Sequence, residues 1–378
     1  MRLRFMCALL IIAGMSGCGN QATTTTTTNN TVTTHQYNGT ASVGDFLTIT
    51  LNTTALTMTY NDLTNGLSGT FPYTVNTNGS YTLNDPSGHL ISAYEIPGYA
   101  LLIQAKNVGP KSDTAALITA VESGPISLST FTNKSYNYIQ FRTSSGGLEV
   151  GSVKIGATSG QNSSFWPYGN ISNDPEGAFH NGTLDFGGIK EDSSGTYLSQ
   201  ADGDGGTDYI FGTSGGFFMV DMSNGSLIGL PKAASAAFDP TVAGTYSGVF
   251  YTKAGAQTGV NNLETGTPST DQATIVITAA VGATLPNITV TDSKGNTFIN
   301  AALTSVAKSS FLYGTGSDGK LADPCNGLFA YRIVVPGSHE NDVFVTFVGN
   351  SVVFAKYSAN LPSTSSSTYT YWYGVGLK

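Results

Sequence analysis

Charge is what this chain has least of. Asp, Glu, Lys and Arg make up 11% of its 378 residues, against about 25% in an ordinary soluble domain. The few charges lean acidic, 16 Lys and Arg against 24 Asp and Glu, for a formal net charge of −8. Such a balance gives no electrostatic footprint for nucleic acid, so no nucleic-acid partner is expected. Runs of Ala, Glu, Lys and Leu are also missing, which excludes a helical bundle or coiled coil. Past the N-terminus no stretch approaches the roughly 18 apolar residues of a membrane-crossing helix. The four histidines, His35, His89, His180 and His339, are too far apart in sequence for a zinc motif, and no second cysteine helps them. No glycine-rich loop leads from a strand into a helix, so there is no nucleotide fingerprint.

The N-terminus is present and distinctive. Arg2 and Arg4 precede an apolar run from Phe5 to Met15. As a helix that run reaches only ~16 Å, about half a bilayer core, so it reads as a secretory signal rather than a permanent anchor. It ends in Met15-Ser16-Gly17-Cys18. This segment resembles the lipobox of bacterial lipoproteins. The resemblance implies that residues 1–17 are removed and that Cys18 becomes the first residue, acylated with diacylglycerol and a further fatty acid such as palmitate. Gly19 in the next position implies sorting to the outer membrane. The body matches no family by motif. If Cys7 leaves with the signal and Cys18 carries lipid, only Cys325 remains, in the turn-like Asp323-Pro324-Cys325-Asn326-Gly327. No intramolecular disulfide is then expected.

Residues 18–35 read as the lipidated cysteine and its tether; 19–35 hold an unbroken threonine run from Thr23 to Thr28 and read as a flexible segment of at most about 58 Å. From Tyr37 the dominant signal is period two. Leu47-Thr48-Ile49-Thr50-Leu51 alternates strictly, as do Leu56, Met58 and Tyr60, and Ile288 and Val290. Such alternation marks half-buried antiparallel strands. Asn78-Gly79, Asn224-Gly225, Gly295-Asn296 and Gly349-Asn350 supply hairpin turns. The Asp-Pro pairs at Asp85, Asp174, Asp239 and Asp323 add corners. Helical stretches are scarce; Thr114 to Glu122, Lys232 to Phe238 and Asn300 to Lys308 are the candidates. The expected fold class is all-β, with antiparallel meanders forming two sandwich- or barrel-like domains, 36–238 and 239–378. Within the first, the series Gly69-Thr70-Phe71, Asn78-Gly79-Ser80-Tyr81 and Gly98-Tyr99-Ala100 runs in the same order as Gly182-Thr183-Leu184, Ser194-Gly195-Thr196-Tyr197 and Gly216-Phe217-Phe218. An internal duplication would explain that order. Outer-membrane barrels resemble one another in ending on an aromatic residue; this chain ends Gly376-Leu377-Lys378, which with the lipid anchor favours a soluble body.

Few motifs carry chemistry. Gly212-Thr213-Ser214-Gly215-Gly216 matches G-x-S-x-G, but Phe217-Phe218-Met219-Val220 follows as strand text. A nucleophile elbow needs a helix there, so a glycine-rich hairpin is expected. Asp202, Asp204 and Asp208 stand at near-alternate positions in a Gly-rich loop and are the candidate Ca²⁺ ligands, with a solvated hairpin tip as the plainer reading. No other cofactor is implied. Trp166 and Tyr168 lie in a loop-like stretch, and Tyr371, Trp372 and Tyr373 in a strand-like one. Rings of this kind beside Asn and Asp can stack on sugars, and they also fill β-cores. Glu95 is a lone carboxylate in a mostly apolar strand.

These readings point to a lipid-anchored cell-envelope protein, at the outer membrane on either face, with a non-catalytic binding, adhesion or structural role. The alternative is a glycan-binding or glycan-processing lipoprotein. The expected partners are the bilayer, through Cys18, and a glycan or an envelope protein.

Overall fold

Strand text separated by tight turns builds three consecutive antiparallel meanders. They are seen in a computed structural model that describes residues 33–106, 115–143, 147–165, 180–202, 205–257, 267–280, 285–306, 325–335, 338–360 and 367–378. The sites expected at Cys18, Trp166, Tyr168 and Asp204 lie outside these residues. The all-β class holds: among the described residues the helical elements are one turn, α1 (Leu128–Phe131), a 3₁₀ turn at Pro240–Val242 capped by Asp239, and 3₁₀ geometry at Val306.

The first meander is a closed barrel of β1 (Thr34–Ala41), β2 (Phe46–Asn52), β3 (Thr57–Asp62), β4 (Leu67–Val75), β5 (Tyr81–Leu83), β6 (Leu90–Ile96), β7 (Ala100–Ala105) and β8 (Ala116–Glu122). Closure comes from β1 pairing with β8, Tyr37 opposite Glu122 and Ala41 opposite Ile118. The period-two pattern sets which side chains enter. Tyr37, Leu47, Ile49, Leu51, Met58, Phe71, Tyr73, Leu101, Ile103 and Ile118 fill the interior. The outer wall of β1–β4 carries registered rows of hydroxyls and amides, such as Gln36, Thr50, Thr59 and Thr70. This is the inverse of a membrane-spanning barrel, whose outer band is apolar.

The second meander follows α1. Its strands are β9 (Ser135–Arg142), β10 (Leu148–Ile155), β11 (Ser159–Phe165), β12 (His180–Asp185), β13 (Lys190–Glu191), β14 (Leu198–Ala201), β15 (Thr207–Gly212), β16 (Phe218–Met222) and β17 (Gly225–Pro231). The third comprises β18 (Gly244–Gln257), β19 (Thr267–Thr278), β20 (Asn287–Asp292), β21 (Thr297–Ala302), β22 (Thr304–Ser305), β23 (Leu328–Val335), β24 (His339–Val348), β25 (Ser351–Asn360) and β26 (Ser367–Leu377). In both, the first strand pairs with the last, β9 with β17 and β18 with β26, and the sheet opens between its fourth and fifth strands. The three meanders thus share one plan, a ring of strands that is sealed in the first and open in the other two. The first two span residues 34–231 and the third residues 244–377.

All three helical expectations fail among the described residues. Ala116–Glu122 forms β8 and Asn300 sits within β21. The Ala-rich text of β8 lost its alternation because both faces are covered. Ala116, Ile118 and Ala120 point into the barrel, while Leu117 and Val121 join the core shared with the other meanders. A doubly buried strand reads as a continuous apolar run. The segment 232–238 is irregular, not helical.

The barrel's β6–β8 side rests on the third meander. Tyr94 donates to Gln272 (3.0 Å), Gln272 to Ser92 (3.1 Å), Ser92 to Gln104 (2.9 Å) and Gln104 to the Thr270 carbonyl (3.0 Å). Aromatic pairs such as Phe141 with Tyr373 and Phe165 with Phe344 join the second and third meanders. In β26, Gly374 is required by closeness: a Cβ there would lie 2.4 Å from the Phe354 ring. Cys325 is fully buried in the shared core, so its thiol has no surface from which to pair with another chain.

Candidate functional site

Among the described residues, a groove of about 390 Å³ lies on the barrel wall. Its floor is the outward face of β1–β3, where strand alternation presents Gln36, Asn38, Thr48, Thr50 and Asn61. Its opposite wall is the turn between β13 and β14, with Asp192, Ser194, Thr196 and Tyr197. Two hydrogen bonds fasten that turn to the rest of the chain. Asn38 Nδ2 donates to the Thr196 carbonyl (2.8 Å), and the Ile126 N–H to the Gly195 carbonyl (2.8 Å). Tyr197 packs edge-on against Phe46, centroids 4.9 Å apart, which fixes its ring in the wall. Burial first, and then Asp192, push the Tyr197 phenol up to about 12. The Ser194 hydroxyl and backbone N–H hold the Asp192 carboxyl below its ordinary value. The groove therefore offers neutral donors and acceptors on a rigid floor, one ionised carboxylate and one aromatic ring.

The second cavity, about 260 Å³, lies at one end of the second meander. It is lined by Arg142, Asp185, Gln200, Ala201, Asp202, Asp208, Met222, Ser223 and Asn224. Gln200 Nε2 reaches the carbonyls of Asp185 and Gly187 (both 3.1 Å), which ties β14 to the chain leaving β12. Asp208 is raised to about 6 by burial and then by Asp202, against a lowering by Arg142. Of the expected Ca²⁺ ligands, Asp202 and Asp208 are brought to this cavity. One oxygen of Asp202 accepts the Gly206 N–H (2.5 Å), as a turn-holding aspartate does. Among the described residues, no three His, Cys, Asp or Glu side chains converge to hold a metal ion.

The aromatic trio of β26 is split by strand alternation. Tyr371 and Tyr373 point into the core shared with the second meander and are 2% and 0% exposed. Tyr373 stacks on Phe141 at 5.7 Å, and Tyr371 tilts against Tyr357 at 5.2 Å. Trp372 lies on the opposite face, half-buried, stacked on Phe298 at 6.0 Å with Lys356 Nζ 4.5 Å from its ring. Lys356 is itself held by the Phe298 carbonyl (2.7 Å). The two tyrosines thus offer no face to a sugar. The segment 212–216 is a hairpin turn, with Thr213 N–H on the Phe217 carbonyl (3.0 Å), as its strand-like continuation requires. The groove was not visible as a motif. Its residues are neutral, come from positions 36–61 and 192–197, and meet only once the barrel has formed.

No known family and no curated protein matches the sequence. Solved structures similar to it include transferrin binding protein B, isotype 1, from serogroup B Neisseria meningitidis, at 11% identity and a TM-score of 0.26. That match covers 89% of this chain and 66% of the other, so the chain spans just under two thirds of that structure's length. Intact Ap-TbpB, with its N and C lobes, matches at 10% identity and a TM-score of 0.21 over 91% of this chain and 76% of the other. A double mutant of the vaccine antigen transferrin binding protein B from Haemophilus parasuis Hp5 matches at 9% and 0.19 over the same shares. At such scores the likeness carries no statement about a ligand of this chain.

Proposed function

We propose that this chain is a bacterial cell-envelope lipoprotein, tethered to the outer membrane through acylated Cys18, that works by binding rather than catalysis. The lipobox-like Met15-Ser16-Gly17-Cys18 and the threonine-rich tether support the anchoring. The observation that carries the binding role is the groove on the barrel wall, because its hydrogen-bonding groups sit on paired strands and need little ordering to meet a ligand. The same groove favours the glycan reading. Sugars are recognised by neutral amides and hydroxyls, a carboxylate that accepts from paired hydroxyls, and an aromatic ring that meets the sugar's apolar face.

Two experiments test the two halves. Cys18→Ser is expected to abolish palmitate labelling and to move the protein out of the membrane fraction; retained labelling overturns the anchor. Titration calorimetry of the body against a panel of neutral oligosaccharides is expected to find binders. Asn61→Arg and Thr50→Arg, which fill the groove with a charge, should each weaken them at least tenfold with an unchanged melting temperature. A panel without binders, or variants that bind as the native chain does, overturns the glycan reading.

A further inference from the structure

The second cavity has a polarity of its own, which comes from strand register. Arg142 on β9 stands opposite Gly225 on β17, and Gly225 opposite Met222 on β16. On β15 and β14, Asp208 stands opposite Gln200. The last paired residues between β15 and β16 are Tyr209 and Asp221, which places Asp208 beside Met222 in the same row. One row across the sheet therefore reads guanidinium, glycine, thioether, carboxylate, amide. From β9 to β15 the row crosses three strand spacings, about 14 Å; the long Arg142 side chain spans part of that distance by reaching the Met222 sulfur, and Arg142 and Asp208 line the same cavity.

Gly225 cannot be replaced by a larger residue, since a Cβ would lie 2.0 Å from the Phe141 carbonyl oxygen. The middle of the row therefore stays low, and Met222 is its apolar side chain. The charged ends are short of partners. Among the described residues, Arg142 Nη2 has a hydrogen bond to the Met222 sulfur (3.5 Å) and the buried Nε has none. Among the described residues no group donates to the Asp208 carboxylate, although it is substantially buried. The other two carboxylates lining the cavity are engaged in turns: Asp185 accepts the Gly187 N–H (2.7 Å), and Asp202 accepts the Gly206 N–H. Arg142 and Asp208 feel each other's charge across the cavity, yet no hydrogen bond joins them, and partly buried charges without hydrogen-bond partners are costly unless something else supplies them.

We propose that this cavity binds a small zwitterion of the α-amino acid class, its ammonium at Asp208 and its carboxylate at Arg142. The volume suits one such molecule. Met222 supplies the apolar contact between the charges, and Gln200, fixed by two backbone carbonyls, closes the acidic end. The site is separate from the barrel groove and does not depend on the glycan reading.

The test is calorimetry or ligand-observed NMR on the full body with a panel of free amino acids, each paired with its N-acetyl derivative and its decarboxylated amine. At least one amino acid is expected to bind, and both of its derivatives to bind at least tenfold more weakly. Asp208→Asn and Arg142→Gln should each produce a loss of the same order. An empty panel overturns the proposal, as does equal binding of a derivative that lacks one charge. The derivatives test the assignment from the ligand side, so it stays falsifiable if a variant fails to fold.

Discussion

Glu95 stood out as a lone carboxylate in an apolar strand, and its surroundings explain it. It points into one end of the barrel with 1% of its side chain exposed. His35 Nδ1 lies 2.6 Å from its Oε1, Tyr37 donates to the same oxygen (2.5 Å), and Tyr81 donates to the other. Burial, reinforced by that carboxylate, pushes the Tyr37 and Tyr81 phenols well up, so both remain donors. Glu95→Ala would strand two phenols and is expected to cost about 2–4 kcal/mol. The shift of the urea midpoint reads this out, and Glu95→Gln should recover part of it. Asp208 gives a pH signature. Its folded pKa of about 6 lies above the ordinary 3.8, so the folded state holds this proton more tightly than the unfolded chain. Its contribution is most favourable below about pH 4, is lost as pH rises to about 6, and is constant above. Asp208→Asn is expected to flatten the melting temperature between pH 4 and 6 relative to the native chain. It should also raise that temperature at pH 7. An unaltered pH profile would show that the carboxyl is not perturbed.

Among the elements, β26 is the most constrained, being hydrogen-bonded on both edges to β18 and β25 and packed on both faces. Gly374→Val is expected to cost about 1–3 kcal/mol or more through overpacking against Phe354, seen as a lower melting temperature. A neutral result would mean that the ring moves freely. Strand burial on both faces also marks the limit of what could be read from sequence. Where one face is solvated the alternation is plain, and Leu47 to Leu51 or Ile288 to Val290 fall in strands as read. The turns at Asn78-Gly79 and Gly295-Asn296 were equally plain, because Gly79 and Gly295 take the positive φ that glycine favours. Where both faces are covered the signal vanishes, which is how β8 resembled a helix. Tyr371 and Tyr373, which the sequence allowed either to stack on a sugar or to fill a core, lie in the core. The groove was illegible for another reason, since its side chains are unremarkable alone and distant in sequence; of the second cavity only Asp202 and Asp208 stood out, and Arg142 and Met222 join them from other strands.

At the scale of the whole molecule, the barrel is closed yet incomplete as a separate body. Ala100, Leu102, Leu117 and Val121 on its outer wall belong to the core shared with the later meanders. A fragment of residues 33–125 is therefore expected to expose an apolar strip and to self-associate, where the full body does not. Size-exclusion chromatography and dye binding check this, and a monodisperse fragment would count against the shared core. The ring plan has a further consequence, in time rather than space. Each meander completes its ring plan only when its first strand meets its last, as Tyr37 meets Glu122 in the sealed barrel. Pairings so distant in the chain form slowly. On a chain exported as proposed, β1 must wait with an open edge until β8 has crossed, and β9 and β18 wait in turn for β17 and β26. Maturation then runs in order of emergence, and the intervals of waiting are when an unsealed edge is most exposed to the wrong partner.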